Sequence, residues 1–580
     1  MKSLFRKTLL IVFSFLILAA CSNPFSSDGK PSIEEGTFTI NIGGAGNSGA
    51  AGSRAAAYPP NIPDGNNPSG PSATDLKYKI IFTPANDTGE PTSFEFIGEE
   101  EKKGKVNQGT YIITMEVFLL NGDLYAEGFA INNPVTISGG RNTVTVYIYD
   151  LGIKVWVDTL GGPQNAGYTD LKAALDDIPA PGTYTVKIGA NQSLAPYTFA
   201  PGSARDITLI ANNPLAPVEV QLASNGQLFT VNAGITLTLG AGITLRGRNA
   251  TADGADNTTE LIWVDSGGTL VMKADAIITG NRNNSTGSTS AGTVRVTGTG
   301  SSFTMQGGEI SGNRANIGGG VAVLGNTGSF TMRGGKISGN TASSNGGGVF
   351  VEGSFTMMGG EISGNRANIG GGVYVIAGSF TMQGGEISGN RGGDSALNGT
   401  GGVYVGSSGS FTMQGGEISR NTAVHSGGVE VRGIFSMEKG KISGNTARTS
   451  GGGVYVYEGN FTMWGGEISG NTATDGGGVY VEGRFTMRGG EISGNTASNR
   501  GGGVFVESDP FGSFNKGPSP SGVITGSDDP NGNVGGGRAV FVHVRVGLMD
   551  QFYIRNKTVG PTETLDSNVS GASGGWVDLP

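Results

Sequence analysis

The stretch Gly465–Asn495, GGEISGNTATDGGGVYVEGRFTMRGGEISGN, opens and closes on one phrase, Gly-Glu-Ile-Ser-Gly-Asn. Between the two copies lie short runs that alternate in polarity. A period of two is that of a β-strand, whose successive side chains face opposite sides. Phe485 and Met487 therefore share one side and Thr486 takes the other. Ile492 is inward, with Glu491 and Ser493 outward, and in the next copy Val504 and Val506 are inward with Phe505 outward. Three strands and three turns in about 25 residues make one coil of a three-sided parallel β-helix, with neighbouring coils about 4.8 Å apart.

The same coil can be followed along the chain. The phrase SFTM or a variant places phenylalanine at 303, 330, 355, 380, 411, 435, 461 and 485, and LVMKADAIITGN (Leu270–Asn281) is a degenerate earlier copy. The step varies while the strand phrases do not, so insertions fall in loops, as in solenoids. Valine is constant at 321, 349, 373, 403, 429, 454, 479 and 504 and at each second residue after. The intervening position is free: Ala322, Phe350, Tyr374, Tyr404, Glu430, Tyr455, Tyr480, Phe505. A uniform column belongs to a core and a variable one to the outside. Burying five apolar side chains per coil contributes roughly 1.5–3 kcal/mol each. Ordering about 25 residues costs more than that, so a lone coil does not fold and its neighbours must supply the rest.

Three columns are candidates for function. The asparagines Asn313, Asn340, Asn365, Asn390, Asn421, Asn445, Asn471 and Asn495 follow Ile-Ser-Gly or Ile-Ser-Arg. Asparagine tolerates left-handed backbone, and its amide can bond its stacked copy, so these read as a structural ladder. The column Glu309, Lys336, Glu361, Glu386, Glu417, Lys441, Glu467, Glu491 is outward and twice interrupted by lysine. A catalytic carboxylate pair needs two different environments, whereas a repeat gives every copy nearly the same one. The aromatics Phe350, Tyr374, Tyr404, Tyr455, Tyr480 and Phe505 form a third column, read first as cross-coil stacking and second as a ligand-contact strip for a glycan or protein. Asp394 and Asp475 fall in loops, and His425 and His543 have no evident acid–base partner. No catalytic residue, metal ligand or cofactor is therefore assigned.

The rest of the chain sets the context. Its 580 residues include 106 glycines and only 15% charged residues, with no Gly-X-Y period. Lys2, Arg6 and Lys7 precede an apolar run, Leu9–Leu18, too short for a comfortable membrane span. Leu18-Ala19-Ala20-Cys21 resembles the lipobox of bacterial lipoproteins. The resemblance implies cleavage before Cys21 and lipid on its sulfur and new amine, and several acyl chains together anchor stably. Cys21 is the sole cysteine, so an intramolecular disulfide is impossible. The formal charge of −9, more negative once the leader is lost, argues against nucleic acid, and no basic stripe is evident. A tether (21–35) leads to strand-like runs between 36 and 150, with a Gly/Pro-rich loop at 43–74. They predict an antiparallel β-sandwich of immunoglobulin or fibronectin type. Tyr168–Pro179 predicts one short helix, capped by Thr169 and stopped by Pro179, with Leu171, Ala174 and Leu175 on one face. Such a helix before short strands is similar to the start of pectin-lyase-like right-handed β-helices, where it covers the first coil. Residues 152–266 are thus expected to hold this cap and the first coils, 267–506 the repeat, and 507–580 a last coil and C-terminal cap.

The phrases Gly466-Glu467-Ile468 and Asn471-Thr472-Ala473 resemble the "GGxI" and "GNxA" of the polymorphic outer-membrane protein repeats of chlamydiae and similar spirochaete surface proteins. The resemblance covers about 267–506 and implies a surface location. Relatives that end in a membrane barrel differ, since the residues after Val506 are too few for one. The expectation is an all-β, monomeric protein: an N-terminal sandwich, then a right-handed three-sided parallel β-helix, anchored through lipid at the bacterial outer membrane. Its expected role is that of a non-enzymatic adhesin, structural or antigenic surface protein. The alternative is a carbohydrate-active lyase- or hydrolase-like β-helix, whose groove would lie near the loop Arg391–Thr400.

Overall fold

The computed structural model describes residues 35–43, the strands between 76 and 150, residues 154–507 with short gaps, and separate strands between 513 and 578. Cys21 and the leader lie outside the described residues, as do most of the tether and of the 43–74 loop. The chain divides into two compact units, Met1–Leu151 and Gly152–Pro580.

In the first unit the strands are β1 (Glu35–Gly43), β2 (Leu76–Pro84), β3 (Thr92–Ile97), β4 (Glu101–Asn107), β5 (Gly109–Leu119), β6 (Leu124–Ala130), β7 (Val135–Ile137) and β8 (Gly140–Asp150). Alternation decides the faces of β2: Ile80 and Phe82 are buried with Tyr111 and Ile113 of β5. Lys77 and Lys79 stand on the other face, where Lys79 Nζ lies 2.8 Å from Glu116 Oε2 and Lys77 Nζ 2.7 Å from Glu95 Oε2. Phe82 meets Phe94 and Tyr111 edge-on, at 5.8 and 5.9 Å between centroids. All eight strands belong to one hydrogen-bonded sheet, ordered β3-β2-β5-β6-β8-β1-β4 with β7 beside β5. Two separate facing sheets are therefore not what the pairing shows. The reason is β1, which pairs in parallel with β8 and antiparallel with β4, and so joins strands far apart in sequence. The Lys-rich β4 has no counterpart in the sequence reading. It ends the sheet.

The second unit is a parallel β-solenoid of about 12 turns with right-handed-like winding. It contains very little helix. Each coil contributes a Val-x-Val strand, a Phe-x-Met strand and an Ile strand, which pair with the same phrase of the next coil in strict register: Val479↔Val504, Phe461↔Phe485, Ile468↔Ile492. The Ile strands belong to a 13-stranded sheet that begins with Gln192–Leu194 and Val218–Leu222. A short fourth ladder follows each asparagine, as in Thr472↔Thr496 and Ala473↔Ala497. A three-strand count missed it because polar runs such as Thr341–Asn345 and Thr496–Arg500 carry no visible apolar alternation. The core is a stack of like on like. Phe303, Phe330, Phe355, Phe380, Phe411, Phe435, Phe461 and Phe485 lie parallel with centroids 4.6 to 4.8 Å apart.

Glycine shapes the corner before each valine strand. Gly346 has φ +67°, in the left-handed region. A Cβ on Gly347 would stand 2.4 Å from the Gly371 carbonyl oxygen of the next coil, and one on Gly348 2.7 Å from that of Gly372. The triplet thus combines a left-handed turn with backbone contact between coils. Ahead of the repeat, helix α1 spans Leu171–Asp176 and buries Leu171, Ala174 and Leu175 in the solenoid core. Its N-cap is Asp170, whose carboxylate accepts from Ala173 N at 2.9 Å, and not Thr169. A carboxylate adjoining the first turn also suits the helix dipole better than a hydroxyl.

Candidate functional site

The asparagine column is buried, with Asn340 and Asn365 fully so. Asn365 Nδ2 donates to Ile337 O of the preceding coil (2.9 Å) and to Asn390 Oδ1 of the following one (3.0 Å). Its Oδ1 accepts from Asn340 N (2.9 Å) and Asn340 Nδ2 (3.1 Å). All four bonding positions of the amide are filled, and one side chain ties three coils. The ladder reaches past the repeat at both ends. Asn257 donates to Asn281 at 3.0 Å, and Asn495 donates to Asn533 at 2.9 Å.

The aromatic column does not form an exposed strip. Phe350, Tyr374, Tyr404, Tyr455, Tyr480 and Phe505 are all buried. They are outside the coil core yet beneath its connections. Ile317, Leu324 and the half-buried Ile369 and Ile376 pack on Phe350, Tyr374 and Tyr404. Tyr455, Tyr480 and Phe505 form a second cluster beside Tyr457. Strand period places a side chain on one of two faces but says nothing of what covers that face. Tyr374 stacks on Tyr404 at 4.6 Å and 3°, which matches the stacking role and removes the contact strip.

Glu430 interrupts this column and is 1% exposed. It accepts from Thr400 Oγ1 (2.5 Å) and Arg432 Nε (3.0 Å), and Arg432 in turn covers the Tyr404 and Tyr457 rings at 5.7 and 4.3 Å. On nearby coils Glu482 accepts from Tyr455 and Tyr480. Burial raises the Glu482 carboxyl above its ordinary value, more than those hydrogen bonds lower it. Burial likewise pushes the Tyr455 and Tyr480 phenols far up.

The Glu/Lys column is half-buried up to Glu467 and exposed at Glu491, and several of its members are paired across coils. Lys441 Nζ lies 3.1 Å from Glu467 Oε1 and Lys336 Nζ 3.5 Å from Glu361 Oε1. Ser443 donates to Glu417 at 2.7 Å and Ser338 to Glu309 at 3.1 Å. A hydrogen bond from Ser469, then Lys441, holds the Glu467 carboxyl below its usual range. These acids are tied to adjacent coils rather than aimed at one shared point. Asp475 lies in the strand Thr472–Asp475, not in a loop, and pairs with Arg500 (3.1 Å). His425 Nδ1 is 3.2 Å from Thr449 Oγ1, and its ring faces Tyr455. His543 sits in the strand Val540–Val546 opposite Glu507. Asp394 lies outside the described residues. Among the described residues, no group of three or more His, Cys, Asp or Glu is placed to hold a metal ion.

Two surface features have no place in the sequence reading. Trp464 is exposed, with the Arg488 guanidinium 5.0 Å from its ring. The residue after each asparagine forms one continuous column, Arg282–Arg314–Thr341–Arg366–Arg391–Thr422. The expectation of no basic stripe is thereby corrected. The signal was present as the phrase Gly-Asn-Arg at 280–282, 312–314, 364–366 and 389–391. It was hidden because net charge averages over the chain.

Fold and columns together define an all-β solenoid protein with a buried asparagine ladder. No protein-family model matches the chain, and neither does any curated protein or solved structure compared with it.

Proposed function

We propose that this is a lipid-anchored bacterial surface protein whose solenoid acts without catalysis, as an adhesin or a structural rod. One observation carries the reading: outward carboxylates are held by serines and lysines of neighbouring coils, as in Ser338 with Glu309, Ser443 with Glu417 and Lys441 with Glu467. Catalysis draws on groups in distinct environments, whereas this column repeats one environment and stiffens the rod. In this reading the first unit is a spacer, and α1 covers the first coil through Leu171 and Leu175. The chlamydial and spirochaete resemblance supports the surface location, and the Leu18–Cys21 tetrapeptide supports the anchor. Cys21→Ser is expected to move the protein from the detergent-soluble membrane fraction to the soluble one. Unchanged detergent-phase partitioning of that variant would sink the anchor.

A further inference from the structure

We propose that the arginine column is a binding site for a linear anionic polysaccharide, one bearing carboxylate or sulfate groups. The proposal rests on reading the solenoid as a non-enzymatic surface, and supplies the ligand class that reading lacks.

The column places Arg282, Arg314, Arg366 and Arg391 on one line over five coils, with Thr341 between the pairs. At a coil spacing of about 4.8 Å the line is roughly 19 Å long. Arg314, Arg366 and Arg391 are exposed, and Arg282 is half-buried. Like charges placed directly opposite on neighbouring strands oppose pairing. The fold has another residue for the site, because coils further along carry Thr422, Thr446, Thr472 and Thr496 there. Four arginines in a chain of formal charge −9 are thus confined to one line at one end of the column. Arg282 Nη1 lies 3.9 Å from Asp256 Oδ1. A cleft of about 360 Å³ opens over this part of the column, lined among others by Asn249, Thr251, Arg282, Arg314 and Thr341.

The adjoining column decides the class of ligand. Two residues further on stand Asn316, Ser343 and Asn368. Ser343 donates to Asn316 at 2.9 Å, and Asn368 donates to the Ser343 carbonyl at 2.8 Å. A file of amides and hydroxyls beside a file of guanidinium groups matches a polymer with hydroxyls and anions on each unit. Guanidinium groups form forked bonds to carboxylate and sulfate-like oxygens. Neither column contains an aromatic ring on which a base could stack, which disfavours single-stranded nucleic acid.

The test uses the full chain, with polygalacturonate, dextran sulfate, neutral dextran and duplex DNA as probes. In the variant R282T/R314T/R366T/R391T, threonine is the residue this column already carries, so folding is retained. The control R333T/R448T/R484T/R488T removes equal charge from other positions. Wild type is expected to bind one or both acidic glycans and not neutral dextran, more weakly as salt rises. The column variant should bind at least tenfold more weakly, the control should bind like wild type, and Arg314→Thr alone should give a two- to threefold loss. Equal loss in both fourfold variants, no binding to either acidic glycan, or tighter binding to DNA would overturn the proposal. Cleavage of a bound glycan would instead overturn the non-enzymatic reading and leave the binding site in place.

Discussion

Asn365 has every polar atom of its amide paired while fully buried, so its removal is felt on both sides. Asn365→Ala strands one Asn340 amide N–H and its backbone N–H below an empty site and leaves the Ile337 carbonyl without its amide donor. Each buried orphan costs roughly 1–3 kcal/mol. A loss of about 3 kcal/mol or more is expected in urea unfolding, with Asn365→Asp no better because it buries a charge. A loss below about 1 kcal/mol would mean the ladder is ornamental. The ladder was legible in sequence because one residue type returns at one place in every coil. What each amide bonds was not, since the Ile337 carbonyl comes from the coil before and no spacing rule points to it. Glu430 was misjudged for a related reason. A charged residue in a variable column reads as solvated, yet Thr400 and Arg432 let it be buried.

At the scale of one strand, Glu482 follows Val479-Tyr480-Val481 and lies among Tyr455 and Tyr480. Burial raises its folded-state value above the ordinary 4.5. The folded state therefore holds this proton more tightly than the unfolded chain does, and stability falls as pH rises above 4.5 toward the folded value. Glu482→Gln keeps an acceptor for the tyrosines and removes that loss. The variant is expected to be more stable than wild type at pH 7 and to match it more closely below pH 4.5, as thermal melts across pH would show. A wild type that gains relative stability over the variant on going from pH 4 to 7 would contradict the assignment. The elements themselves were largely readable: valine, phenylalanine and isoleucine phrases gave three strands and their inward sides. Their covering was not. Phe350 and Tyr374 look outward from their own strand and are closed over by Ile317, at the end of the strand Arg314–Ile317, and by Ile369.

For the whole molecule, the question is why a stack of identical parallel strands stops. Every coil presents unpaired backbone groups at its free edge, and a repeat that templates its own next copy can also template another chain. Both ends of the solenoid change direction. At the first coil, the strand Val155–Thr159 pairs antiparallel with Gly182–Ile188. At the other end, the strand Val540–Val546 is in parallel register with Val504–Glu507 but is followed by an antiparallel partner, Met549–Arg555. Leu565–Asp566 likewise runs antiparallel to Ser513–Lys516. An antiparallel strand offers an incoming coil the wrong hydrogen-bond pattern, because parallel and antiparallel ladders space their donors differently. Deleting residues 548–580 removes these closing strands and leaves the parallel edges of Val540–Val546 and Ser513–Lys516 open. The truncated chain is expected to associate with rising concentration, read as an increasing mass by light scattering, while the full chain holds one mass over the same range. A truncated chain that stayed monodisperse would show that closure lies elsewhere, in the side chains of the last coil rather than in the reversal of strand direction.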